Sequence, residues 1–342
     1  MTAFTKFKEK FFGKVASDVV GIYWTGHLIQ VTRLKKTAAG IQLAGAEVIH
    51  QSDDFRNASG KTAPINLSSK TRGQYAALCC CSLRDAFKLL RVPESFDTEN
   101  REDLIDRLGI DSGLATRISH RVLLPGAAKS EGRVLVGAML EEHAVRLMQL
   151  MPASGMPAAR SLELAELAVM NAFLNDPRFA NSGKAFGLIH FDDSYSLIAL
   201  FNEGILSQFR VFPFGVTAVL GRVMSTLNVD QSTAEGILID GAFDLSHLFE
   251  ESFRDIRSQL VITRDFMERS EDCILESLSI SGPASLTRPF VGGMPAQENI
   301  TEWNVLEPYP EITPGSLPDE FLAEPWRAAA AIGAALGLLV PQ

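Results

Sequence analysis

Features that would point to a membrane-spanning or nucleic-acid-binding protein are missing from this sequence. No stretch of the 342 residues approaches 18 consecutive apolar residues, so we expect no membrane-spanning helix. Lys and Arg number 32 against 41 Asp and Glu, which gives a net charge of −9. A surface that binds nucleic acid needs clustered basic side chains, so we expect no nucleic-acid partner.

Cysteine is also scarce. The chain has four, and three of them are adjacent: Cys79, Cys80 and Cys81. Neighbouring residues of a strand point to opposite faces, so these three are poorly placed to bridge one another and are expected in a buried strand. No cysteine cluster has metal-ligand spacing, and no Ser/His/Asp or Cys/His pattern indicates a catalytic nucleophile. We therefore expect no catalytic residue and no metal site. We also expect a cytoplasmic protein, because these cysteines suit a reducing compartment.

The first 14 residues are too charged for a secretory signal. Phe4, Phe7, Phe11 and Phe12 are interleaved with lysines at helical spacing. A short basic amphipathic helix of this kind can rest on an anionic membrane surface, which predicts peripheral membrane association. The alternative is a solvated tail before the first strand.

The same hairpin pattern occurs twice. Residues 19–31 form an apolar strand, a short turn and a second strand, and residues 186–204 repeat this design around a polar turn. A duplicated hairpin at the start of each half resembles the actin, sugar-kinase and Hsp70 group, in which the hairpins present two phosphate loops. The resemblance implies an α/β protein with a bilobal actin-like (ribonuclease H-like) fold, two duplicated mixed-sheet lobes and an inserted α/β subdomain.

Between the hairpins, residues 51–73 are polar and predict a long surface loop. Residues 97–108 predict a helix capped by Asp97 or Thr98. A later helix is predicted to be capped by Asp230 or Ser232.

Two further helices have clear apolar patterns. Residues 246–270 predict the longest helix, with a buried stripe that consists of Leu248, Phe249, Phe253, Ile256, Leu260 and Phe266. The last helix, residues 324–338, is rich in Ala and Gly, which permits close packing onto a sheet.

Several segments resemble, in order, the motifs of the PilM family, the cytoplasmic actin-like proteins of the type IV pilus assembly platform, and more distantly FtsA. Residues 20–34 resemble the opening hairpin, and residues 155–173 (GMPAARSLELAELAVMNAF) a strand–helix element in the middle of the family's sequence. Residues 204–218 (GILSQFRVFPFGVTA) and 325–337 (PWRAAAAIGAALG) resemble later motifs. The similar segments extend over most of the chain.

The resemblance implies three parts. Residues 15–81, completed by 156–181 and 318–342, would form the first core subdomain, residues 82–155 the insert, and residues 182–317 the second lobe.

The first phosphate loop departs from the family. The Asp of that loop is replaced by Tyr23 and its Gly by Thr25, although Gly26 follows. The Asp orders the hydration shell of Mg²⁺, and Tyr23 has no anionic oxygen for that role. Such loops also need positive φ and close backbone approach, which Gly supplies and Thr25 does not.

The second phosphate loop and the adenosine loop depart as well. His190 replaces the Asp, while Asp192 and Asp193 replace small residues, so two carboxylates would face triphosphate oxygens and repel them. In the adenosine loop Pro283 follows Gly282 where the family has further glycines. We therefore expect no cofactor and a pseudo-ATPase in which ATP and Mg²⁺ are disfavoured. The candidate cofactor positions, as degenerate loops, are Thr25, Gly26, Asp192, Asp193, Ser194 and Gly282.

The resemblance also implies partners and a location. A PilN-like inner-membrane protein would insert its short cytoplasmic N-terminus into a groove between the first core subdomain and the insert, near residues 82–153. Other platform proteins would bind at the inner face of the inner membrane. Nothing in the sequence specifies an oligomeric state.

Three alternatives remain. His190, Asp192 and Asp193 could together hold Mg²⁺ or Mn²⁺ in an altered but active nucleotide site. The chain could instead serve a type II secretion platform, in which GspL has a similar cytoplasmic region. An active sugar or acid kinase would need a catalytic carboxylate, for which Asp18 and Glu47 are the available acids.

Overall fold

A computed structural model describes most of the chain. The described ranges are 16–51, 62–81, 86–111, 113–127, 131–152, 156–180, 183–240, 243–295, 299–309 and 317–340. The basic amphipathic segment predicted at residues 1–14 lies outside these ranges. In the described part, no helix combines the length and the apolar character needed to cross a membrane.

The chain divides into two compact units. The first comprises Met1–Ser82, Met139–Asp176 and Val305–Gln342, and the second Leu83–Ala138 and Pro177–Asn304. The residues of the predicted insert are thus shared between the units. The subdomain boundaries given above stay a prediction.

The strands are β1 (Asp18–Thr25), β2 (Leu28–Thr37), β3 (Gly40–His50), β4 (Tyr75–Cys80), β5 (Ala86–Val92), β6 (Thr116–Leu124), β7 (Gly132–Leu140), β8 (Ala158–Leu164), β9 (Ala185–Phe191), β10 (Ser196–Asn202), β11 (Ile205–Phe212), β12 (Leu275–Ser281) and β13 (Ile300–Glu302). The helices are α1 (Arg101–Leu108), α2 (Glu141–Gln149), α3 (Ala165–Leu174), α4 (Val216–Leu227), α5 (Gln231–Asp240), α6 (Ser246–Glu271), α7 (Ala284–Gly292), α8 (Asp319–Ala323) and α9 (Ala329–Leu339), with a 3-10 turn at Pro325–Ala328.

Each unit contains a five-stranded sheet, and the two sheets have the same topology. The strand orders are β3-β2-β1-β4-β8 and β11-β10-β9-β12-β13. In both, three strands form an antiparallel meander, and the next two run parallel to the first strand of the hairpin. The prediction of two duplicated mixed sheets is confirmed. The hairpin strands are continuous apolar runs because almost every residue of β1, β9 and β10 is buried.

The core of the first unit depends on small residues. Helix α9 lies on β1 and α3, and nine of its eleven residues are buried. A Cβ added to Gly21 would be 2.7 Å from the carbonyl carbon of Ala331, and one added to Gly333 would be 3.2 Å from Ala168 Cα. The close packing predicted for the last helix is therefore confirmed. Cys79, Cys80 and Cys81 are buried and are not bridged to one another, as expected.

Strands β5, β7 and β6 form a three-stranded sheet in the order β5-β7-β6, covered on one face by α1. The helix begins at Asn100, whose Oδ1 accepts from the amides of Glu102 and Asp103 at 3.2 and 3.3 Å. The predicted cap at Asp97 or Thr98 is wrong. Asp97 instead accepts from the amide of Glu99 at 2.9 Å, in a turn before the helix.

Two other expectations need correction. The polar loop at 51–73 is only partly a surface loop: residues 52–61 lie outside the described ranges, and Ile65 and Leu67 are buried. The amide of Ile65 donates to the carbonyl of Leu150 at 2.9 Å, which fixes this segment inside the first unit.

In α6 the predicted apolar stripe is buried at Phe253, while Phe266 is 49% exposed.

Candidate functional site

The first hairpin turn is short and closed by its own residues. Thr25 pairs with Leu28, which leaves a two-residue turn. Gly26 has φ +53°, the left-handed conformation that such turns require. The indole Nε1 of the buried Trp24 donates to the carbonyl of Gly26 at 3.0 Å. Hairpin geometry therefore accounts for Gly26 without a ligand.

Tyr23, which stands where the resemblance implies an Asp, is fully buried. The strand registers place it in one row with Gln30, Cys79 and Glu163, across β2, β1, β4 and β8. Cys79 lies under α9, with its Sγ 3.8 Å from the carbonyl oxygen of Ala330. The tyrosine thus belongs to the core between the sheet and α9.

Glu163 was not among the site residues predicted from the sequence. Its carboxylate accepts from the hydroxyl of Ser161 at 2.8 Å, near the carboxyl end of β8. Burial raises the pKa of Glu163 to about 7, and the Ser161 hydrogen bond opposes this shift. The available signal was an acid at the carboxyl end of a strand parallel to β1, the edge where open α/β sheets bind ligands.

The second hairpin turn is also closed internally. The amide of Asp192 donates to the carbonyl of Tyr195 at 2.9 Å, and Asp192 Oδ1 accepts from the amide of Asp193 at 2.7 Å. Asp192 and Ser194 are buried, whereas Asp193 is half-buried. The Asp192 carboxylate is thus part of the turn.

Helix α4 begins directly against this turn. The amides of Val216 and Thr217 donate to the carbonyls of Asp192 and Asp193 at 3.1 and 2.9 Å. A Cβ on Gly215 would be 2.8 Å from the carbonyl of Asp193, so only glycine permits this approach. Two first-turn amides, the groups with which helix N-termini bind anions, therefore have partners within the protein.

His190 brings an imidazole into the interior of the second unit. It is fully buried, and Ser281 lies opposite it on β12. Its Nε2 is 3.7 Å from Asp192 Oδ2, too far for a hydrogen bond. In the part of the chain that the structure describes, neither ring nitrogen has a hydrogen-bond partner.

The structure places Gly282 at the end of β12 with φ +145°. A Cβ there would be 2.8 Å from Phe191 Cβ, so the glycine permits contact between this turn and β9. The Phe191 ring lies 5.6 Å from that of Phe253 and 5.3 Å from that of Phe290, both edge-on. Helix α7, which Pro283 precedes, thus packs on an aromatic cluster.

The predicted positions therefore fall into two groups, one in each unit. Thr25 and Gly26 belong to the first hairpin, whereas the second unit brings Asp192, Asp193 and Ser194 together in one turn. Across the described ranges, no group of three or more His, Cys, Asp or Glu residues is placed to hold a metal ion.

The two repeated sheets and their hairpins define an actin-like fold. Across 96% of this chain and 100% of the other, the structure matches a chain of the PilM–PilN type IV pilus biogenesis complex, with a TM-score of 0.70 and 15% sequence identity. A weaker similarity, on which no conclusion rests, is to a protein of actin-like ATPase fold and unknown function from Bacteroides thetaiotaomicron. Its TM-score is 0.46 at 12% identity, covering 89% of this chain and 94% of that chain. No protein-family model and no curated protein sequence matches the chain.

Proposed function

We propose that this protein is an actin-like scaffold of a type IV pilus assembly platform at the cytoplasmic face of the inner membrane. It binds the short cytoplasmic N-terminus of a PilN-like membrane protein, and it also binds other platform proteins. Its role is to hold these partners and not to hydrolyse ATP. The observation that carries the proposal is the match along nearly the whole chain to a chain from the PilM–PilN complex. Because fold alone does not specify function, the proposal depends on a direct binding test.

The three-stranded sheet β5-β7-β6 lies within the predicted insert and is called the inserted sheet from here on; it has an edge that suits an extended peptide. Strand β6 is at the end of the order β5-β7-β6, and its residues Arg117, Ser119 and Arg121 are exposed at alternate positions. An extended chain can add to such an edge through backbone hydrogen bonds, with side chains that give specificity. This edge supports a peptide partner in preference to a compact one.

In this proposal the nucleotide loops are degenerate and the protein does not turn over ATP. Tyr23 supplies no anionic oxygen for Mg²⁺. The first-turn amides of Val216 and Thr217 are used by the hairpin carbonyls. Gly282, the residue retained from the adenosine loop, contacts Phe191. These three features support weak or absent nucleotide binding.

Thermal unfolding with and without ATP and Mg²⁺ tests this part of the proposal. We expect no change in the unfolding temperature, because a ligand stabilises only a native state that binds it. Stabilisation by ATP and Mg²⁺ that disappears in Asp192→Ala would contradict the proposal and revive the altered nucleotide site.

Titration with a fluorescent peptide tests the partner. The peptide is the cytoplasmic N-terminus of a PilN from the same organism, and a scrambled peptide of the same composition is the control. We expect saturable binding with a dissociation constant of roughly 1–100 μM, and none by the scrambled peptide. No detectable binding at high micromolar concentration would rule out the proposed partner.

A further inference from the structure

An arginine connects the inserted sheet to the rest of the second unit. On β7, Val134 and Val136 point into the small core beneath α1, so Arg133 points to the opposite face. Its Nη2 lies 2.6 Å from Glu271 Oε1, and its Nη1 donates to the carbonyl of Leu206 at 3.4 Å. Only 13% of the Arg133 side chain and 8% of the Glu271 side chain are exposed, so the pair is nearly buried.

Two side chains, those of Asn202 and Ser207, contact Glu271, and the neighbouring carbonyl of Leu206 accepts from Arg133. Between β10 and β11 the register shifts, so that Leu200 faces Gln208 and Phe201 faces Leu206, and Ser207 is left as the extra residue of a bulge. The hydroxyl of Ser207 donates to Glu271 Oε1, and Asn202 Nδ2 donates to Glu271 Oε2 at 3.1 Å. The bulge thus directs a hydroxyl at the carboxylate.

The position of Glu271 calls for a cation. It is the last residue of α6, followed by the left-handed Asp272, and a carboxylate at a helix C-terminus is disfavoured by the helix dipole. Burial adds to this cost unless the charge has a partner. The guanidinium of Arg133, on strand β7 of another sheet, supplies the positive charge that pairs with Glu271.

Two further contacts lie on the same face of the inserted sheet. The rings of Phe87 and Phe209 stack at 4.5 Å and 2°. The guanidinium of Arg91 lies 5.1 Å from the Phe266 ring, and its Nη2 donates to Ser270 Oγ at 3.3 Å. Arg91 is directly opposite Arg133 in the β5–β7 ladder, and like charges in that position are unfavourable within the sheet itself. The unfavourable pairing of Arg91 with Arg133 is therefore explained by the contacts that both side chains make with α6.

We propose that Arg133 and Glu271 are positioning residues whose ion pair, which we call the lock, holds the inserted sheet against the rest of the second unit. A partner held by the insert is then coupled, through this lock, to β11 and the end of α6. The coupling to a partner rests on the proposed function, whereas the lock itself does not.

Hydrogen exchange of the full chain, measured by mass spectrometry without any partner, tests the lock. In Arg133→Met and in Glu271→Gln, we expect amides of β5 and β7 to exchange at least about tenfold faster than in the unmodified protein. The double variant Arg133→Met/Glu271→Leu should be closer to the unmodified protein than Arg133→Met alone, because it leaves no unpaired buried charge. Lys184→Ala, which breaks the exposed Lys184–Glu276 pair of the same unit, is the control and should leave these amides unchanged.

Unchanged exchange of β5 and β7 in both single variants would overturn the lock. If Arg133→Met does not fold, Arg91→Ala, which removes only a peripheral contact, should show the same effect at a smaller size. An unchanged rate there would count equally against it.

The same experiment with the PilN peptide tests the coupling. In the unmodified protein, bound peptide should slow exchange in β11 and at the end of α6 as well as in the insert, and Arg133→Met should confine the protection to the insert. Protection confined to the insert in the unmodified protein would refute the coupling. If the unmodified protein binds no peptide, the proposed function fails, while exchange without peptide still decides whether the lock exists.

Discussion

Replacing Gly21 by alanine should strongly destabilise the first unit, because the added methyl group has no room. The new Cβ would lie 2.7 Å from the carbonyl carbon of Ala331, where ordinary contact begins at 3.4 Å. The obstacle is the backbone of α9, which cannot rotate away as a side chain can. The carbonyl oxygen of Ala331 is closer still, so helix and strand must separate by more than the roughly 0.7 Å that the carbon alone requires, in a densely packed core.

Overpacking of a core costs about 1–3 kcal/mol, and a backbone obstacle points to the upper end, about 3 kcal/mol. Gly333→Ala should act in the same direction, because its Cβ would meet the backbone of Ala168. The matched control is Gly221→Ala in α4, where no atom lies within 4 Å of the new Cβ. That substitution should stabilise by about 0.5–1 kcal/mol, since alanine has less backbone freedom to lose on folding than glycine.

Urea unfolding followed by tryptophan fluorescence separates these effects. Trp24 and Trp326 are buried in the first unit and Trp303 in the second. The midpoint should fall for Gly21→Ala and Gly333→Ala and rise for Gly221→Ala. A loss below about 0.5 kcal/mol for Gly21→Ala would show that β1 and α9 can move apart freely, which would refute the packing argument.

Three smaller predictions follow from other contacts. Because the pKa of Glu163 rises from 4.5 to about 7 on folding, native stability falls as pH rises through this window, by up to about 3 kcal/mol. Glu163→Gln should therefore be more stable than the unmodified protein at pH 8 but not at pH 4, in urea unfolding at both values; equal stability at pH 8 would contradict the shift. Ser161→Ala removes the hydrogen bond to the carboxylate and should cost more stability at pH 8 than at pH 4, so a loss independent of pH would contradict that role. Asn100→Ala should destabilise α1 by about 1 kcal/mol, seen as faster amide exchange in that helix, whereas Thr98→Ala should not; equal effects would mean that Asn100 is not the cap.

The fold was largely predictable because local patterns and topology agree. Two apolar hairpins of similar length fixed the beginnings of both sheets, and the Ala- and Gly-rich last helix could only pack closely. The cap of α5 was also predictable, since Asp230 accepts from the amide of Thr233 at 2.8 Å. The cap of α1 was not, because Asp97, Thr98 and Asn100 are all good capping residues and only the course of the preceding turn selects one.

The features of the candidate site were less predictable because they depend on tertiary packing. The pKa of Glu163 reflects burial, which an isolated acid between two leucines does not reveal. The bulge at Ser207 and the arginine that it helps to receive lie more than 70 residues apart. Phe266 fits the helical stripe of α6 by spacing, but its ring is used at the half-exposed contact with Arg91.

The residues that depart from the actin-like phosphate loops have local structural uses in this chain. Trp24 closes the first turn through the carbonyl of Gly26, and Asp192 closes the second through the amide of Asp193. The carbonyls of Asp192 and Asp193 also receive the first amides of α4. A loop that binds phosphate through the amides of Asp193, Val216 and Thr217 could not also use them in these internal hydrogen bonds, because the ligand would need the same N–H groups. These internal hydrogen bonds thus favour a rigid hairpin over an adaptable one in each of the two sheets, which agrees with the proposal that the protein works by binding.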